Sequence, residues 1–155
     1  MTEPVAPQHD SHEVLRVLYP WYKEEVFRRR ELMMRLTWFG ATIHVFLLTI
    51  LLIIPTRHPT AATTALFAIT GVALFTATFV FLIFQQRNRH RMAKATLIEI
   101  ERALGLYATG LIVEGKALYP EGWQTAWLKD QSVTVYVTVL SALTALVIGA
   151  ILLRA

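Results

Sequence analysis

Residues 61–84 read AATTALFAITGVALFTATFVFLIF, a run of 24 residues without a charged side chain that ends at the basic segment QQRNRHR of residues 85–91. As a helix rising about 1.5 Å per residue, this run is long enough to cross a hydrocarbon core roughly 30 Å thick. Large apolar side chains such as Leu66, Phe67 and Phe75 point to all sides of the helix, whereas a surface helix of a soluble protein has one apolar stripe. The run therefore predicts a membrane span.

The composition of the whole chain agrees with this prediction. The 155 residues are 55% hydrophobic and their mean hydropathy is +0.47, above the usual range of a soluble domain. The absence of cysteine excludes disulfides, iron-sulfur clusters and cysteine nucleophiles. The net charge of +4 comes from basic residues beside the apolar runs rather than on one folded face, which argues against a nucleic-acid partner.

Two further runs have the length and composition of membrane spans. Residues 36–54 contain 19 uncharged residues and end at Pro55, and residues 132–153 contain 22. The link of residues 55–60 is so short that the first two spans must form a hairpin. We therefore predict an all-α integral membrane protein with three transmembrane helices, of which the first two form an antiparallel hairpin extended into the cytoplasm.

The segments outside the spans divide the rest of the chain. Residues 1–20 form a polar leader and a short amphipathic helix, which we expect Pro20 to interrupt. Residues 21–105 form the helical hairpin with its cytoplasmic extensions. Residues 106–131 form a loop at the cytoplasmic surface, and the third span follows.

The extension of the second span has its own pattern. Leu97 and Ile100 recur at helical spacing on an apolar side, and Glu99 and Glu101 are expected on the side facing water. Gly105 is a helix stop signal, so the helix is predicted to end near residue 104.

Lysine and arginine are concentrated on one side of this topology. Residues 1–35 hold six and residues 85–131 hold seven, while the 55–60 link and the C-terminal tail hold one each. Cytoplasmic segments of membrane proteins carry the excess of these residues. The count predicts a multi-pass protein of the cell inner (cytoplasmic) membrane with a cytoplasmic N-terminus and an external C-terminus.

Small residues in the spans predict close helix packing, because they let backbones approach. The candidates lie in the second and third spans, and their partner is either this chain or another subunit, with a homo-oligomer or other membrane subunits as the predicted partners. The packing candidates are Thr70, Ala73, Ala77, Thr138, Ala142, Ser141, Ala145 and Gly149.

His44 is the one strongly polar residue of the first span. A titratable group near the bilayer centre faces protein or water, so His44 either relays protons or holds a metal, or it is a neutral imidazole hydrogen-bonded to a neighbouring helix. No span contains an Asp, Glu, Lys or Arg side chain that would support proton-coupled or ion-coupled transport.

Basic and aromatic residues flank the spans and are candidates for contact with lipid headgroups. Arginines just before the first span would attract anionic lipid, although membrane orientation alone also explains them. A tryptophan pair precedes the third span, in the position of interfacial anchors. These candidates are Arg28, Arg29, Arg30, Arg35, Trp123 and Trp127.

Two other patterns have weaker chemical content. His9, Asp10, His12 and Glu13 are metal-ligand types, but they lie in a polar leader and are better explained as a solvated segment. Residues 110–117, GLIVEGKA, resemble a phosphate-binding loop only in outline, because alanine stands where the loop needs a hydroxyl. We therefore predict no metal site and no cofactor.

One family resemblance concerns residues 20–105. A helix with Tyr22, Glu25 and Arg28–Arg30 precedes a tight two-span hairpin, and a helix ending IEIERALG at residues 98–105 follows it. This architecture resembles that of the SLATT proteins, small bacterial membrane proteins, and the resemblance implies a pore-forming effector. The third span departs from that architecture.

Three functions follow from these patterns. The first is a non-catalytic scaffold or accessory subunit of a membrane assembly, favoured because no catalytic pair is apparent. The second is a self-assembling pore lined by threonine and serine. The third, which we rank last, is a membrane enzyme whose carboxylates would be Glu99, Glu101, Glu114, Glu121 and Asp130.

Overall fold

The computed structural model describes residues 8–54, 61–126 and 130–155, with side chains described from residue 12 onward. These residues form four helices: α1 (Gln8–Ile53), α2 (Ala62–Ala103), α3 (Trp123–Ala126) and α4 (Ser132–Leu152). The described residues include no β-strand, only an isolated bridge between Val113 and Lys116. The all-α prediction is confirmed, and α1, α2 and α4 are each long and apolar enough to cross a membrane.

The structure differs from the sequence prediction at Pro20. The 46-residue helix α1 continues through this proline instead of being interrupted by it. Proline removes one backbone hydrogen bond, a cost of about 3 kcal/mol in a helix interior. A long helix tolerates that loss because the turns on both sides remain hydrogen-bonded and Pro20 is exposed, so its ring meets no packed neighbour.

The end of α2 follows the prediction from Gly105. Gly105 has a φ of 72°, its N–H donates to the Arg102 carbonyl, and the Leu106 N–H donates to the Glu101 carbonyl. These two bonds form the Schellman arrangement that satisfies the last carbonyls of a helix. A side chain at residue 105 would also place its Cβ against Leu111 Cδ2, so that exposed leucine side chain would have to move, and glycine is required chiefly for its φ.

The chain divides into two compact units. Residues 31–87 with residues 131–155 form one, which we name the span unit, and residues 1–30 with residues 88–130 form the other, which we name the arm unit. The first includes most of the apolar runs, and the second includes most of the charged residues.

In the span unit, α1, α2 and α4 pack around two apolar clusters. One cluster consists of Met33, Phe79, Ile83, Val133 and Leu140, and the other of Ala65, Val147 and Ile151. Gly40 of α1 is buried where a Cβ would lie 3.0 Å from Leu140 Cδ2 and 3.3 Å from Phe79 Cδ1. The three helices therefore approach closely at Gly40.

Arg154 joins the ends of two helices in the span unit. Its Nη2 donates to the carbonyl of Ile54 over 2.6 Å. The last carbonyls of a helix have no partner within the helix, and a basic side chain is a favourable donor to them. This bond ties the end of α1 to the residues that follow α4.

In the arm unit, the first part of α1 packs against the second part of α2 and residues 104–123. Its buried apolar side chains are Val26, Leu97, Ile98 and Ile100. The Tyr119 N–H donates to the Leu106 carbonyl over 2.9 Å, which closes the segment between α2 and α3 on itself.

Candidate functional site

His44 lies at the centre of a buried hydrogen-bond network in the span unit. Its imidazole is 0% exposed, and its Nε2 is 2.9 Å from Thr76 Oγ1 of α2 and 3.1 Å from Thr144 Oγ1 of α4. The two threonine hydroxyls are 2.7 Å apart. One side chain from each long helix therefore meets at a single point.

The backbone partners of this network determine its proton arrangement. His44 Nδ1 is 2.7 Å from the Gly40 carbonyl, which can only accept, so Nδ1 carries a hydrogen. Thr76 Oγ1 also lies 3.0 Å from the Val72 carbonyl, and Thr144 Oγ1 lies 2.7 Å from the Leu140 carbonyl. Each hydroxyl has a single hydrogen, so these carbonyls, Nε2 and the other hydroxyl are alternative acceptors for it. No buried side-chain N or O of the described residues lacks a partner.

This geometry corresponds to the hydrogen-bonded alternative that we considered for His44. The imidazole contacts neighbouring helices, and Phe75 lies against it with a ring-centroid distance of 5.6 Å. Among the described residues there is no group of three or more His, Asp or Glu side chains placed to hold a metal. What the network can do chemically is lock three helices in register, because interhelical hydrogen bonds between polar side chains are directional.

The predicted packing residues differ between the two spans. In α4 the six small residues Thr134, Thr138, Ser141, Ala142, Ala145 and Gly149 fall within one sector of the helix, and all except the half-buried Gly149 are exposed. This sector is opposite the buried Leu140 and Val147. We name it the small face of α4; it is about 22 Å long at 1.5 Å per residue.

The corresponding residues of α2 do not form such a face. Thr70, Ala73 and Ala77 are exposed, but the same side of α2 carries the exposed large side chains of Leu66, Leu74 and Phe81. Large apolar residues are the usual covering of a helix that faces lipid. The two sets that looked alike in sequence are therefore different surfaces in the structure.

Two of the four arginines that are candidates for headgroup contact form ion pairs with glutamates of the same helix. Arg29 Nε donates to Glu25 over 2.6 Å and Arg35 Nη2 donates to Glu31 over 2.7 Å, both at the i, i+4 spacing of a helix. Arg28 and Arg30 are exposed, and among the described residues they form no ion pair within 4.0 Å.

The tryptophan pair is only half described. Trp127 lies outside the described residues, as do residues 55–60 and the side chains of His9 and Asp10. Trp123 is 56% exposed and its ring lies 5.4 Å from that of Tyr119, centroid to centroid. It belongs to a cavity that the sequence did not indicate.

This cavity lies within the arm unit and has a volume of about 190 Å³. We name it the arm cavity. Aromatic rings and charged side chains that are far apart in the sequence line it together. Its aromatic lining is Tyr19, Phe27, Tyr107, Tyr119 and Trp123, and its charged lining is Lys23, Lys94 and Glu101.

Glu101 is 6% exposed, so the prediction that it faces water is wrong. The loop that follows α2 turns back after Gly105, and the hydroxyl of Tyr107 donates to Glu101 Oε2. Burial and this bond raise the pKa of the Tyr107 phenol, so it remains a donor at neutral pH. The other candidate carboxylates Glu99, Glu114, Glu121 and Asp130 are exposed.

A hydrogen bond joins two of the tyrosines that line the cavity. The Tyr19 and Tyr119 hydroxyls are 2.8 Å apart, which joins α1 to the segment before α3. Burial, followed by the bond to Tyr119, raises the pKa of Tyr19. Lys23 lies over the Tyr19 ring with Nζ 5.7 Å from the ring centroid, a cation–π distance.

His90, which is half-buried, makes a third polar contact in the arm unit, and its sequence pattern does not distinguish it. Its Nδ1 donates to the Val26 carbonyl over 3.1 Å, which links α2 to α1. Burial lowers the pKa of His90 despite this bond. His90 lies within the basic run of residues 87–91, and in an all-polar run the spacing of apolar residues does not show which side chain faces the neighbouring helix.

No known protein family, no curated protein and no solved structure matches this chain.

Proposed function

We propose that this protein is a non-catalytic scaffold or accessory subunit of a membrane assembly, and that the small face of α4 is the surface through which it binds another transmembrane helix. The span unit acts as the anchor and presents this face. The proposed partner is a second copy of the chain or another membrane subunit.

The observation that carries this proposal is the exposure of the small face. Transmembrane helices associate through small residues, because association depends on close van der Waals contact rather than on a hydrophobic difference from lipid. Thr134, Thr138, Ser141 and Ala145 recur at steps of four, three and four residues, the spacing of left-handed helix packing. All four are exposed, and Ala145 borders a groove that Leu48 and Leu52 of α1 also line.

The proposed location is the inner membrane, with the arm unit in the cytoplasm. The distribution of basic residues supports this, since 13 of the 15 lysines and arginines fall in residues 1–35 and 85–131. Arg28 and Arg30 are exposed without an ion pair among the described residues, and each would attract anionic lipid by about 1 kcal/mol.

The test is a matched pair of alanine-to-leucine variants. Ala145→Leu fills the small face of α4, and Ala77→Leu makes the same change on the exposed side of α2. We expect Ala145→Leu to weaken self-association or co-purification of a partner at least about fivefold in a mild detergent, while Ala77→Leu leaves it unchanged. Light scattering after size-exclusion chromatography and pull-down of a tagged chain measure the two forms of association.

Two results would contradict the proposal. One is a strict monomer from which nothing co-purifies in mild detergent. The other is equal loss of association in both variants, because it would mean that the leucine disturbs the fold of the span unit rather than a binding surface.

A second candidate is the pore implied by the SLATT-like architecture. The hydroxyls of Thr134, Thr138 and Ser141 lie in line on the small face, and an oligomer that turned this face inward would have a polar lumen. Release of a trapped dye from liposomes by the reconstituted protein, lost in Thr138→Leu, would favour the pore. Association without dye release would favour the scaffold.

A further inference from the structure

We propose that the arm cavity binds a small zwitterion, with a primary ammonium group against Glu101 and the aromatic rings and an oxyanion against Lys23 and Lys94. Aminoethyl phosphate has this chemistry, either as free O-phosphoethanolamine or as the headgroup of phosphatidylethanolamine. The site lies entirely in the arm unit and does not depend on the proposed contact surface of α4.

The carboxylate of Glu101 supplies the first half of the site. It is 6% exposed and lines the cavity, and its partner is the Tyr107 hydroxyl. Among the described residues it has no ion pair within 4.0 Å. Removing a carboxylate from water is costly unless a cation or several donors replace the water, and one phenol does not fill its four lone-pair positions.

The aromatic lining selects the kind of cation. Tyr19, Tyr107, Tyr119 and Trp123 line the same cavity as Glu101, with centroid separations of 6.1 Å between Tyr107 and Tyr119 and 5.4 Å between Tyr119 and Trp123. Rings within about 6 Å of a cation attract it through their quadrupoles. A carboxylate beside several rings is therefore suited to an organic ammonium group.

The two lysines supply the second half. Lys23 is exposed and Lys94 is half-buried, so both lie nearer to solvent than Glu101 does. Neither forms an ion pair in the part of the chain that the structure describes. Lys23 is held over the Tyr19 ring at 5.7 Å, which leaves its ammonium hydrogens available to an oxyanion.

Size limits the ligand. The volume of about 190 Å³ equals that of roughly six water molecules at about 30 Å³ each, which suits a ligand of about six to ten non-hydrogen atoms. The cavity lining carries two positive charges and one negative charge. A ligand with one ammonium and one oxyanion pairs both signs, whereas an isolated anion leaves Glu101 unpaired.

The experiment is calorimetric titration of the full chain in micelles of dodecyl maltoside, a detergent without phosphate or charge. The probes are O-phosphoethanolamine, ethanolamine and inorganic phosphate. We expect saturable binding of O-phosphoethanolamine, with ethanolamine and phosphate each at least about tenfold weaker.

Variants separate the two halves of the site. Glu101→Gln keeps an acceptor for Tyr107 and removes the charge, so it should weaken O-phosphoethanolamine at least about tenfold without weakening phosphate binding. Lys94→Met should weaken the binding of both O-phosphoethanolamine and inorganic phosphate. Lys116→Met, an exposed lysine of the same unit outside the cavity, is the control and should change neither.

The source of the ligand is distinguished by a second measurement. The chain is placed in nanodiscs of phosphatidylcholine with or without phosphatidylethanolamine and titrated with O-phosphoethanolamine. Loss of the titration in the phosphatidylethanolamine discs assigns the site to the lipid headgroup, and an unchanged titration assigns it to the free compound.

Three results would overturn the proposal: no saturable binding of any probe, equal affinity for phosphate and O-phosphoethanolamine, or an unchanged affinity in a folded Glu101→Gln variant. The far-UV circular dichroism and thermal unfolding of each variant establish that it is folded. If Glu101→Gln does not fold, the Lys94→Met variant and the three-probe comparison decide whether the site exists.

Discussion

At the scale of single residues, two histidines join helices but differ in their exposure to water. His44 is 0% exposed, and all its polar contacts are inside the span unit. His90 is half-buried, and exposed basic residues precede and follow it in the chain. Both join helices through hydrogen bonds, so both are expected to stabilise the fold.

For His44 we predict that Phe and Ala substitutions distinguish the contribution of its hydrogen bonds to stability from the contribution of its packed volume. His44→Phe keeps a ring of similar size and loses the bonds to Thr76 and Thr144, which should cost about 1 kcal/mol. His44→Ala adds a cavity and should cost about 3 kcal/mol. Unfolding in mixed detergent micelles with increasing dodecyl sulfate, followed by circular dichroism, measures both.

The control for His44 is a double-mutant cycle. Thr144→Val should couple to His44→Phe, because the two side chains share a bond. Thr49→Val should not couple, because the exposed Thr49 hydroxyl bonds to its own backbone at Val45. Equal coupling in the two cycles would contradict the network.

For His90 we predict a loss of stability in acid. Its pKa in the folded chain lies below the ordinary value of 6.5, chiefly through burial, with Arg30 and Lys94 adding to the effect and Asp130 opposing it. As the pH falls below about 6.5, the unfolded chain binds a proton that the folded chain does not, so the free energy of unfolding decreases until the folded pKa is reached. Above that window the effect vanishes.

The measurement for His90 compares the native chain with His90→Gln between about pH 7.5 and pH 5, the range over which an unperturbed histidine titrates. Gln retains an N–H donor for the Val26 carbonyl but does not titrate. The native chain should lose more stability in this range than the variant does. Identical pH dependence of the two proteins would rule out His90 as the cause.

At the scale of elements, the residue at which a helix ends depends on the backbone preferences of a few neighbouring residues. The stop at Gly105 needs only a residue that adopts positive φ, and it was predicted correctly. The break at Pro20 was not, because one lost hydrogen bond is small beside those that a 46-residue helix retains. A local signal determines where a helix ends when no stronger interaction opposes it.

We predict that Gly105→Ala destabilises the arm unit more than Gly110→Ala does. Both glycines have positive φ, 72° and 79°, which costs a side chain about 1 kcal/mol. Only at Gly105 would the new Cβ collide with another atom, Leu111 Cδ2. Chemical unfolding of the two variants measures the difference, and adding Leu111→Ala to Gly105→Ala should restore part of it. Equal effects of the two glycine substitutions would contradict the steric argument.

At the scale of the whole molecule, the chain combines an apolar span unit with a charged arm unit. α1 and α2 are each 42 or more residues long, so each contributes residues to both units. A hydrocarbon core roughly 30 Å thick is crossed by about 20 helical residues, so a membrane span would occupy only about half of each of these helices. The boundary between the two units therefore falls where the apolar part of each helix gives way to its charged part.

The proposed topology predicts a definite labelling pattern. The chain has no cysteine, so single cysteines report on their own surroundings. In intact cells, Ala155→Cys should react with a membrane-impermeant maleimide, and the exposed Lys116→Cys should react only after the membrane is permeabilised. Reaction of both variants in intact cells, or of neither, would show that the assignment of sides is wrong.

The helical class, the three apolar helices and the end of α2 could be predicted from the amino-acid sequence alone. These are local properties, since the length of an uncharged run and the presence of a glycine act on neighbouring residues alone. His44 was recognisable as unusual for the same reason: a single polar group in an apolar run stands out without knowledge of its partners.

Which side of each span faces inward depended on tertiary packing. A helix that is apolar all round has no contrast between its lipid side and its core side, so periodicity does not reveal the buried face. The partners of His44 lie 32 and 100 residues away, and the lining of the arm cavity comes from α1, α2 and the segment leading into α3. Glu101 was assigned to water because its cover, residues 106–123, lies after it in the chain and meets it only through folding. Packing also decided which side of α4 is buried, because Leu140 and Val147 lie inside the span unit while the small residues on the opposite side stay exposed.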